Sequence, residues 1–222
     1  MARRPQTGLD RGRIVDAAIE VADRIGTGPM TLRRIATELG VSPMAIYHYV
    51  ADKEEILDAM VDRVFAEIGL PVIGAPWRTE MERRAHSARR ALNRHPWAIT
   101  LLDSRTTPGI ETIRHHDAVS GCLRTAGMSI RLTAHVAAAL DTVIFGFAVQ
   151  EAALPFGADD VSDVAGGILE QVPFDQFPHV AEMAANHVLV PGYDFGDEFH
   201  YILEMVLDSL EQRFLAEHNP AG

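Results

Sequence analysis

The sequence predicts an all-α protein, and three observations carry that prediction. Apolar residues recur at helical spacing through most of the chain, whereas no segment alternates apolar and polar residues as a half-buried strand does. Glycine, proline and short polar clusters interrupt the pattern at intervals that suit helices of ordinary length. With 222 residues, of which 47% are hydrophobic, the chain is long enough for a small domain joined to a larger one.

The first two helices are predicted by apolar spacing and by the residues at their ends. Periodic apolar residues predict a helix over 10–25, and the segment Gly26 to Pro29 ends it because proline cannot continue a helix. Thr31 is expected to cap a short second helix, and Gly40 ends that helix by tolerating a left-handed backbone.

The next two helices also begin with capping residues. Ser42 caps a third helix, which we extend to Tyr49, and a proline at its first helical position needs no hydrogen bond there. A connecting helix over 52–68 begins with Asp52 and Glu55 in the arrangement of a capping box. Together these helices make up a predicted N-terminal domain.

The segment 69–76 is rich in glycine and proline, and we place the domain boundary there, between residues 1–68 and 69–222. The larger domain is predicted to hold helices over 77–93, 96–103, 108–126, 129–152, 176–188 and 195–217, with a long loop over 154–174. The most apolar stretch, from residue 136 to 149, is too short to cross a membrane and contains an aspartate, so we expect a buried helix.

Charge is distributed unevenly along the chain. The net charge is −11, yet residues 1–50 hold seven arginines against five acidic residues, so they carry +2 and the remainder carries −13. A basic end on an acidic body indicates two separate tasks. The single cysteine, Cys122, excludes an intrachain disulfide and a cysteine-based zinc site, and the start has no apolar signal segment. These features predict a cytoplasmic protein.

Two short helices joined by a glycine turn are what a helix-turn-helix requires, with the second helix lying in the major groove of DNA. Arginine offers paired donors to guanine, small apolar side chains contact thymine methyl groups, and both Tyr47 and Lys53 have the reach for phosphate oxygens. The alternative is an ordinary helical hairpin, but the caps and the local basicity favour DNA binding. The outward-facing candidates are Arg33, Ser42, Pro43, Met44, Ala45, Tyr47 and His48.

The stretch TLRRIATELGVSPMAIYHYVADKEEIL, residues 31–57, resembles the helix-turn-helix of the tetracycline repressor family. The resemblance implies that Arg33, residues 43–45 and His48 read bases, whereas phosphates are bound by Thr31, Tyr47 and Lys53. The matching positions are Thr31, Ile35, Ala36, Gly40, Val41, Ser42, Ile46, Tyr47, Tyr49, Val50, Lys53 and Ile56.

The larger domain resembles the regulatory domain of the same family in RRALNRHPW (89–97), LRTAGMS (123–129), FGFAVQE (145–151) and YDFGDEFHYILEMVLDSLE (193–211). This resemblance implies a homodimer in which helices 129–152 and 195–217 of two subunits form a four-helix bundle. The last helix carries a long apolar stripe that permits such pairing. The stripe consists of Phe199, Ile202, Leu203, Val206, Leu210 and Phe214.

The resemblance also implies a small effector bound inside the larger domain, between mostly apolar walls with a few polar groups. Neither tetracycline nor magnesium is carried over, and no cofactor is expected. Adjacent helical residues such as His115 and His116 point about 100° apart, so they do not make a metal site by themselves. The candidate lining residues are Met60, Val64, His86, Trp97, Leu101, His115, Cys122, Asp141, Phe145 and Gln150.

The interpretation that unites these features is a dimeric regulator of transcription, in the simplest case a repressor that a small molecule releases from its operator DNA. The connecting helix 52–68 is the expected lever, because it joins the helix-turn-helix to the body. An all-α enzyme with His86, or His115 with Asp117, as general base is the alternative from another class. The sequence supplies no nucleophile, cofactor motif or phosphate-binding loop for such an enzyme, so we expect no enzyme. An activator or a ligand-blind regulator with the same fold also stays open.

Overall fold

The computed structural model confirms the all-α prediction. It describes residues 8–102, 107–153, 173 and 176–218, and these ranges contain helices and turns but no strand. The chain divides into two compact units, Met1–Ala148 and Val149–Gly222. The boundary expected at residue 68 falls inside the first unit and stays a prediction. The loop expected over 154–174 lies outside the described residues except for Pro173.

The N-terminal helices of the first unit form where capping residues predict them. Asp10 caps α1 by accepting a hydrogen bond from the backbone N–H of Arg13, and Asp52 caps α4 in the same way through Glu55. The side chain of Glu55 accepts from the N–H of Ala51, which completes a reciprocal cap. The helices are α1 (Arg11–Ile25), α2 (Leu32–Leu39), α3 (Pro43–Ile46) and α4 (Lys53–Glu67). Their shared core is fully buried and consists of Ile14, Ala18, Ile35, Ala36, Ile46, Ile56 and Met60.

The rest of the first unit packs α5 and α7 against α4. The predicted helices recur with ends shifted by one or two residues, and the segment 96–103 begins as a short 3₁₀ helix. The elements are α5 (Trp77–Arg94), the 3₁₀ helix Pro96–Ala98, α6 (Ile99–Leu102), α7 (Ile110–Thr125) and α8 (Ile130–Ala153).

Helix α8 is long and apolar enough to cross a membrane, as judged by length and composition within the described residues. The core helix of a soluble protein passes the same test, and α8 buries Leu132, Val136, Leu140 and Ile144. The expectation of a buried helix is therefore the simpler interpretation of its composition.

The second unit contains α9 (Pro178–Met183), which continues into a π-helical turn over Ala184–Val188, and α10 (Phe195–His218). Helix α10 is apolar on two sides. One side is buried and consists of Phe199, Leu203, Leu207 and Leu210. Of the expected stripe, Ile202 is 38% exposed and lies with Tyr201 and Met205 on the solvent side, so its pairing with a second subunit stays a prediction.

Candidate functional site

The turn between α2 and α3 has the geometry that the sequence predicts. Gly40 adopts a left-handed conformation with φ 67° and ψ 30°, which a residue with a Cβ enters only at a cost. The backbone N–H of Val41 reaches back to the carbonyl of Ala36 at 3.0 Å and closes the end of α2. Ile35, Ala36 and Ile46 are fully buried between the helices, so α2 and α3 are held at a fixed angle.

The residues that the sequence assigns to DNA binding are exposed, with two exceptions. Thr31, Arg33, Ser42, Pro43, Met44, Tyr47 and His48 are exposed, whereas Ala45 and Lys53 are half-buried. The hydroxyl oxygens of Thr31 and Ser42 accept capping hydrogen bonds from the N–H groups of Arg34 and Ala45. Each hydroxyl keeps its own proton, which is available to a phosphate oxygen.

Helix α3 is shorter than predicted. It ends at Ile46, and residues 47–49 form a turn in which the N–H groups of Tyr49 and Val50 donate to the carbonyl of Ile46. Tyr47 is 51% exposed and Tyr49 is 44% exposed, so both aromatic rings reach solvent beside the turn. The helix that would enter a major groove therefore has one turn, followed by exposed rings and the imidazole of His48.

Two arginines of α2 carry positive charge that no acidic residue in the described part of the chain neutralises. Arg11 pairs with Glu55 at 3.0 Å, Arg24 pairs with Glu38 at 2.5 Å, and Arg13 donates to the carbonyl of Gly8. The exposed side chains of Arg33 and Arg34, in contrast, have no hydrogen bond or ion pair with any residue in the described part of the chain. The sequence interpretation named only Arg33, although the neighbouring Arg34 carries the same signal of local basicity.

Lys53 has a structural partner that sequence reasoning missed. Its Nζ donates to the carbonyl oxygen of Thr27 at 2.8 Å and so ties the start of α4 to the segment between α1 and α2. An ammonium group has three donors, so two of them stay available for a phosphate. No local pattern reveals this bond, because the two residues are 26 positions apart.

The N-terminal helices are fastened to the following helices through Asp23 of α1. Its carboxylate accepts from the indole N–H of Trp97 at 2.6 Å and faces Nδ1 of His95 at 2.8 Å. The Nε2 atom of the same imidazole faces Glu67 of α4 at 3.2 Å. Burial alone would raise the pKa of Glu67, but hydrogen bonds from Arg94 and His95 hold that pKa below its usual value. Trp97 therefore joins α1 to the segment after α5, and its place in an effector cavity stays a prediction.

A second fastening joins α4 to the start of α7. Asp62 accepts from the backbone N–H of Thr112 at 2.8 Å and from its hydroxyl at 3.0 Å, which caps α7 from another helix. Gly109, the residue before α7, lies so close that an added Cβ would stand 2.1 Å from Cγ of Asp62. The φ of −76° at position 109 is ordinary, so the backbone conformation does not require glycine. Glycine is required because a Cβ at this position would overlap the carboxylate of Asp62.

Two cavities lie in the first unit near these fastenings. The larger, of about 620 Å³, is an open groove lined by charged residues of α1 and α4, among them Arg11, Asp62 and Arg63. The smaller, of about 290 Å³, is more enclosed, and Phe65 and Phe145 line it together with polar residues such as Asp58 and Thr112. Small-molecule sites are concave and combine apolar walls with some polar groups, so the more enclosed cavity is the better effector candidate.

A buried polar cluster joins α5, α7 and α8. Arg84 is 2% exposed; its Nε donates to Nε2 of His115 at 2.8 Å, and its Nη2 donates to Asp141 at 2.5 Å. Burial, followed by the positive charge of Arg84 and by His116, lowers the pKa of His115 to about 3, so its imidazole is neutral. Sequence reasoning missed Arg84, although helical spacing places it on the same face as the buried Met81 and Ala88.

The structure brings some of the predicted effector residues together and separates others. His115 and Asp141 meet at Arg84, and Phe145 lines the smaller cavity. Burial raises the pKa of the Cys122 thiol, which is fully enclosed. The remaining predicted residues line neither cavity: Met60, Val64 and Leu101 are buried, His86 is half-buried and Gln150 is exposed. This part of the effector set stays a prediction.

A capped helix-turn-helix with exposed uncommitted arginines, followed by a helical body, defines the class of helix-turn-helix transcription regulators. Comparison with known proteins gives the family. Residues 14–60 match the family model described as bacterial regulatory proteins, tetR family, and residues 70–214 match the one described as tetracyclin repressor-like, C-terminal domain. The chain belongs to the tetracycline repressor family and is a DNA-binding regulator of transcription, as its sequence predicts.

Relatives of known name support the assignment over nearly the whole chain. The HTH-type transcriptional repressor DrrR1 of Streptomyces coeruleorubidus is 30% identical over 220 residues, which are 95% of this chain and 80% of the relative. The tetracycline repressor protein class A from transposon 1721 of Escherichia coli is 26% identical over 219 residues, 97% of each chain. In fold, ActR of Streptomyces coelicolor, in a crystal structure with actinorhodin, is similar with a TM-score of 0.76 at 24% identity, covering 95% of this chain and 97% of ActR.

Proposed function

We propose that this protein is a dimeric transcriptional repressor that binds operator DNA through α2 and α3 of each subunit and dissociates when a small molecule binds to it. The observation that carries the DNA-binding part is the pair of exposed arginines, Arg33 and Arg34, beside the exposed residues of α3. In an acidic chain of net charge −11, Arg11 and Arg24 are paired with acidic residues, whereas these two arginines have no side-chain partner among the described residues. Their guanidinium groups suit both guanine edges and phosphates.

Dimerisation follows from the requirements of the operator and from α10. Two recognition helices reach successive major grooves only when a dimer holds them about 34–36 Å apart. The solvent side of α10 exposes Tyr201 by 66%, Met205 by 57% and Leu215 by 54%, in addition to Ile202. A stripe of this kind on a long helix suits pairing with the same helix of a second copy, as we expect for α8 and α10.

Effector release is supported by the smaller cavity and by the relative in fold that was crystallised with actinorhodin. The cavity lies beside α4, since Asp58, Val61 and Phe65 are among its lining residues. A ligand there would favour one position of α4 over another and so change the separation of the two recognition helices. Such a regulator acts in the cytoplasm, where its operator is, and performs no catalysis.

An operator selected in vitro tests the DNA-binding part. The wild-type protein is used to enrich duplexes from a random library, and binding to the enriched duplex is measured by fluorescence anisotropy over a range of salt concentrations. Arg33→Ala is expected to relax base preference, and Arg34→Ala to weaken binding to all duplexes and lower the salt slope by about 1. Arg90→Ala, the same change on the exposed face of α5, is the matched control. It is expected to change neither the base preference nor the affinity and its salt slope. Failure to enrich any duplex would refute DNA binding.

Sedimentation tests the dimer. Met205→Glu places a charge in the exposed stripe and is expected to shift the protein towards monomer and to weaken operator binding more than tenfold. Met183→Glu is the matched control, since Met183 is 60% exposed on α9, outside the proposed interface. A wild-type monomer that still binds its operator with full affinity would refute the dimer.

A further inference from the structure

Lys53 is the only lysine in a chain that holds 20 lysine and arginine residues. Both kinds of side chain pair with phosphates, but they differ in reactivity, because activated carboxylic acids acylate the amine of lysine and leave the guanidinium of arginine charged. An acyl donor therefore finds only one side-chain amine in this protein. That amine belongs to the first residue of α4, directly after the helix-turn-helix.

The ammonium group of Lys53 has one structural partner and no opposite charge. Its Nζ donates to the carbonyl oxygen of Thr27 at 2.8 Å. It forms no ion pair with an acidic residue in the described ranges of the chain, and the residue is half-buried. Two of the three N–H donors of the ammonium are left over from this bond, and they are the ones that a phosphate of the operator would use.

Acylation would remove the charge and keep the structural bond. An acetylated Nζ is an amide nitrogen with one N–H, which can still donate to the carbonyl of Thr27, whereas the other donors and the positive charge are lost. The helix dipole opposes a positive charge at the first residue of α4, so loss of the charge offsets part of the weakening of the bond to Thr27. The contact that modification abolishes is therefore the one to phosphate.

We propose that Lys53 is an acylation site, and that its modification by an acyl phosphate lowers the affinity of the protein for operator DNA. Nζ attacks the carbonyl carbon of the donor, an N–C bond forms, and the C–O bond to the phosphate breaks. Inorganic phosphate leaves with the bonding electron pair, and the proton of the amine passes to water, so no oxidant or reductant takes part. This regulation rests on the proposed function, since it acts through the phosphate contact of Lys53.

An acyl phosphate is the donor class that suits this position, because its phosphate is bonded directly to the reacting acyl group. The cationic groups that attract operator phosphates attract such an anion as well, in a chain whose net charge of −11 repels anions elsewhere. An acyl thioester such as acetyl coenzyme A has the same acyl chemistry but carries its phosphates away from the reacting carbonyl. It is therefore expected to react more slowly.

The reaction is tested on the full-length wild-type protein with acetyl phosphate and acetyl coenzyme A as probes. Intact mass spectrometry counts the acetyl groups added, and peptide mapping separates Lys53 from the N-terminal amino group. Acetyl phosphate is expected to modify Lys53. Operator DNA at about 100 times its dissociation constant leaves about 1% of the protein free, so it is expected to slow this reaction at least about tenfold.

The outcomes of this experiment decide both the site and the donor. Modification by acetyl coenzyme A alone assigns the donor to the thioesters and upholds the site. If neither donor modifies Lys53, the proposal is refuted. An equal rate with and without operator would also overturn it, because the amine would then be exposed in the complex and would contact no phosphate.

Operator binding by the acetylated protein gives the functional result, measured by fluorescence anisotropy over a range of salt concentrations. The affinity is expected to fall at least about tenfold, a difference of about 1.4 kcal/mol, and the salt slope by about 1 per subunit. A phosphate contact carries no sequence information, so the loss is expected to be equal for the selected operator and for unrelated duplexes. Unchanged affinity after complete acetylation would contradict the proposal.

Lys53→Arg is the matched variant, since arginine keeps the charge and the donors but has no amine to acylate. Its operator affinity is compared before and after treatment with acetyl phosphate, and the two values are expected to be equal. A treated variant that loses affinity as the wild-type protein does would place the effect at another group and overturn the assignment. The measurements on wild-type protein need no variant, so the test does not depend on the folding of a substituted chain.

Two controls on the wild-type protein separate this regulation from the proposed function and from unfolding. If untreated protein enriches no operator, the proposed function fails, whatever the mass spectrum shows. If it binds an operator and acetylation of Lys53 leaves the affinity unchanged, only the regulation fails. Far-UV circular dichroism of the acetylated protein is expected to match that of untreated protein, and a loss of helix would show that the modification disrupts the fold instead of the phosphate contact.

Discussion

The junction between α4 and α7 offers a prediction whose size can be worked from the structure. Asp62 accepts two hydrogen bonds from Thr112, at 2.8 Å and 3.0 Å, and these bonds cap the first turn of α7. Hydrogen bonds to charged groups contribute about 1.5–3 kcal/mol and a helix cap about 1 kcal/mol. Asp62 is half-buried, so screening by solvent reduces the free energy that these hydrogen bonds contribute. We therefore expect Asp62→Ala to lower the free energy of unfolding by about 2 kcal/mol.

Asp62, Thr112 and Gly109 lie close together, so the effects of substituting them on the free energy of unfolding are not expected to add. Thr112→Val removes only the hydroxyl bond and is expected to cost about 1 kcal/mol, with little further loss when Asp62 is already alanine. Gly109→Ala forces a Cβ to within 2.1 Å of Cγ of Asp62, so the carboxylate has to leave its position. In wild-type protein this change is expected to cost about as much as Asp62→Ala, whereas in the Asp62→Ala background it is expected to cost less than about 0.5 kcal/mol.

Hydrogen exchange at the backbone amide of Thr112 is the direct assay, since this N–H donates to Asp62. A loss of about 2 kcal/mol corresponds to exchange faster by about thirtyfold. Asp117→Ala changes an exposed carboxylate on the same helix and is expected to leave that rate unchanged. Additive effects of Gly109→Ala and Asp62→Ala would refute the reasoning, because they would show that the alanine does not act through the carboxylate.

Three further predictions concern the turn, the fastening at α1 and the pH dependence. Gly40→Ala has no atom within 4 Å of the new Cβ, so its expected cost is only that of the left-handed conformation, about 1 kcal/mol in urea unfolding. Trp97→Phe removes the donor that faces Asp23 at 2.6 Å and is expected to cost about 2 kcal/mol, measured by urea unfolding followed by circular dichroism. The pKa of His115 is about 3 in the folded state, against roughly 6.5 when unfolded. The unfolded chain then binds the extra proton, so stability is expected to fall as pH drops from about 6.5 towards 3, by up to about 1.4 kcal/mol per pH unit. His115→Gln should flatten that part of the profile.

Sequence predicts those parts of this fold that single residues decide locally. Thr31, Gly40 and Ser42 fix the ends of two helices because each cap involves residues within five positions of it. The end of α3 at Ile46 was missed, since no glycine or proline follows it and the turn over 47–49 depends on packing against the rest of the domain. Helical periodicity gave the remaining elements to within a few residues.

The buried polar contacts of the larger domain were harder to predict, because they join positions far apart in the chain. Arg84 and Asp141 are 57 residues apart, and a buried arginine contradicts the usual rule that charged residues lie on the surface. Trp97 is one of the expected lining residues, and no local pattern predicts that its indole N–H bonds to Asp23, 74 positions away. Residue type therefore predicted which side chains are functional candidates, but not which of them meet.

The last two turns of α4 hold three contacts that join this helix to the helices after it. Asp62 caps α7, Phe65 packs on His115 of the same helix, and Glu67 faces His95 at the end of α5. These three side chains lie within six residues, 62–67, so the C-terminal end of α4 is held to α5 and α7 at three points. Because three contacts hold this end of α4, we expect the helix to move as a body rather than to bend there. Helix α4 also packs against α1, and Lys53 at its start bonds to Thr27, so we expect such a movement to carry α1 and the α2–α3 surface with it.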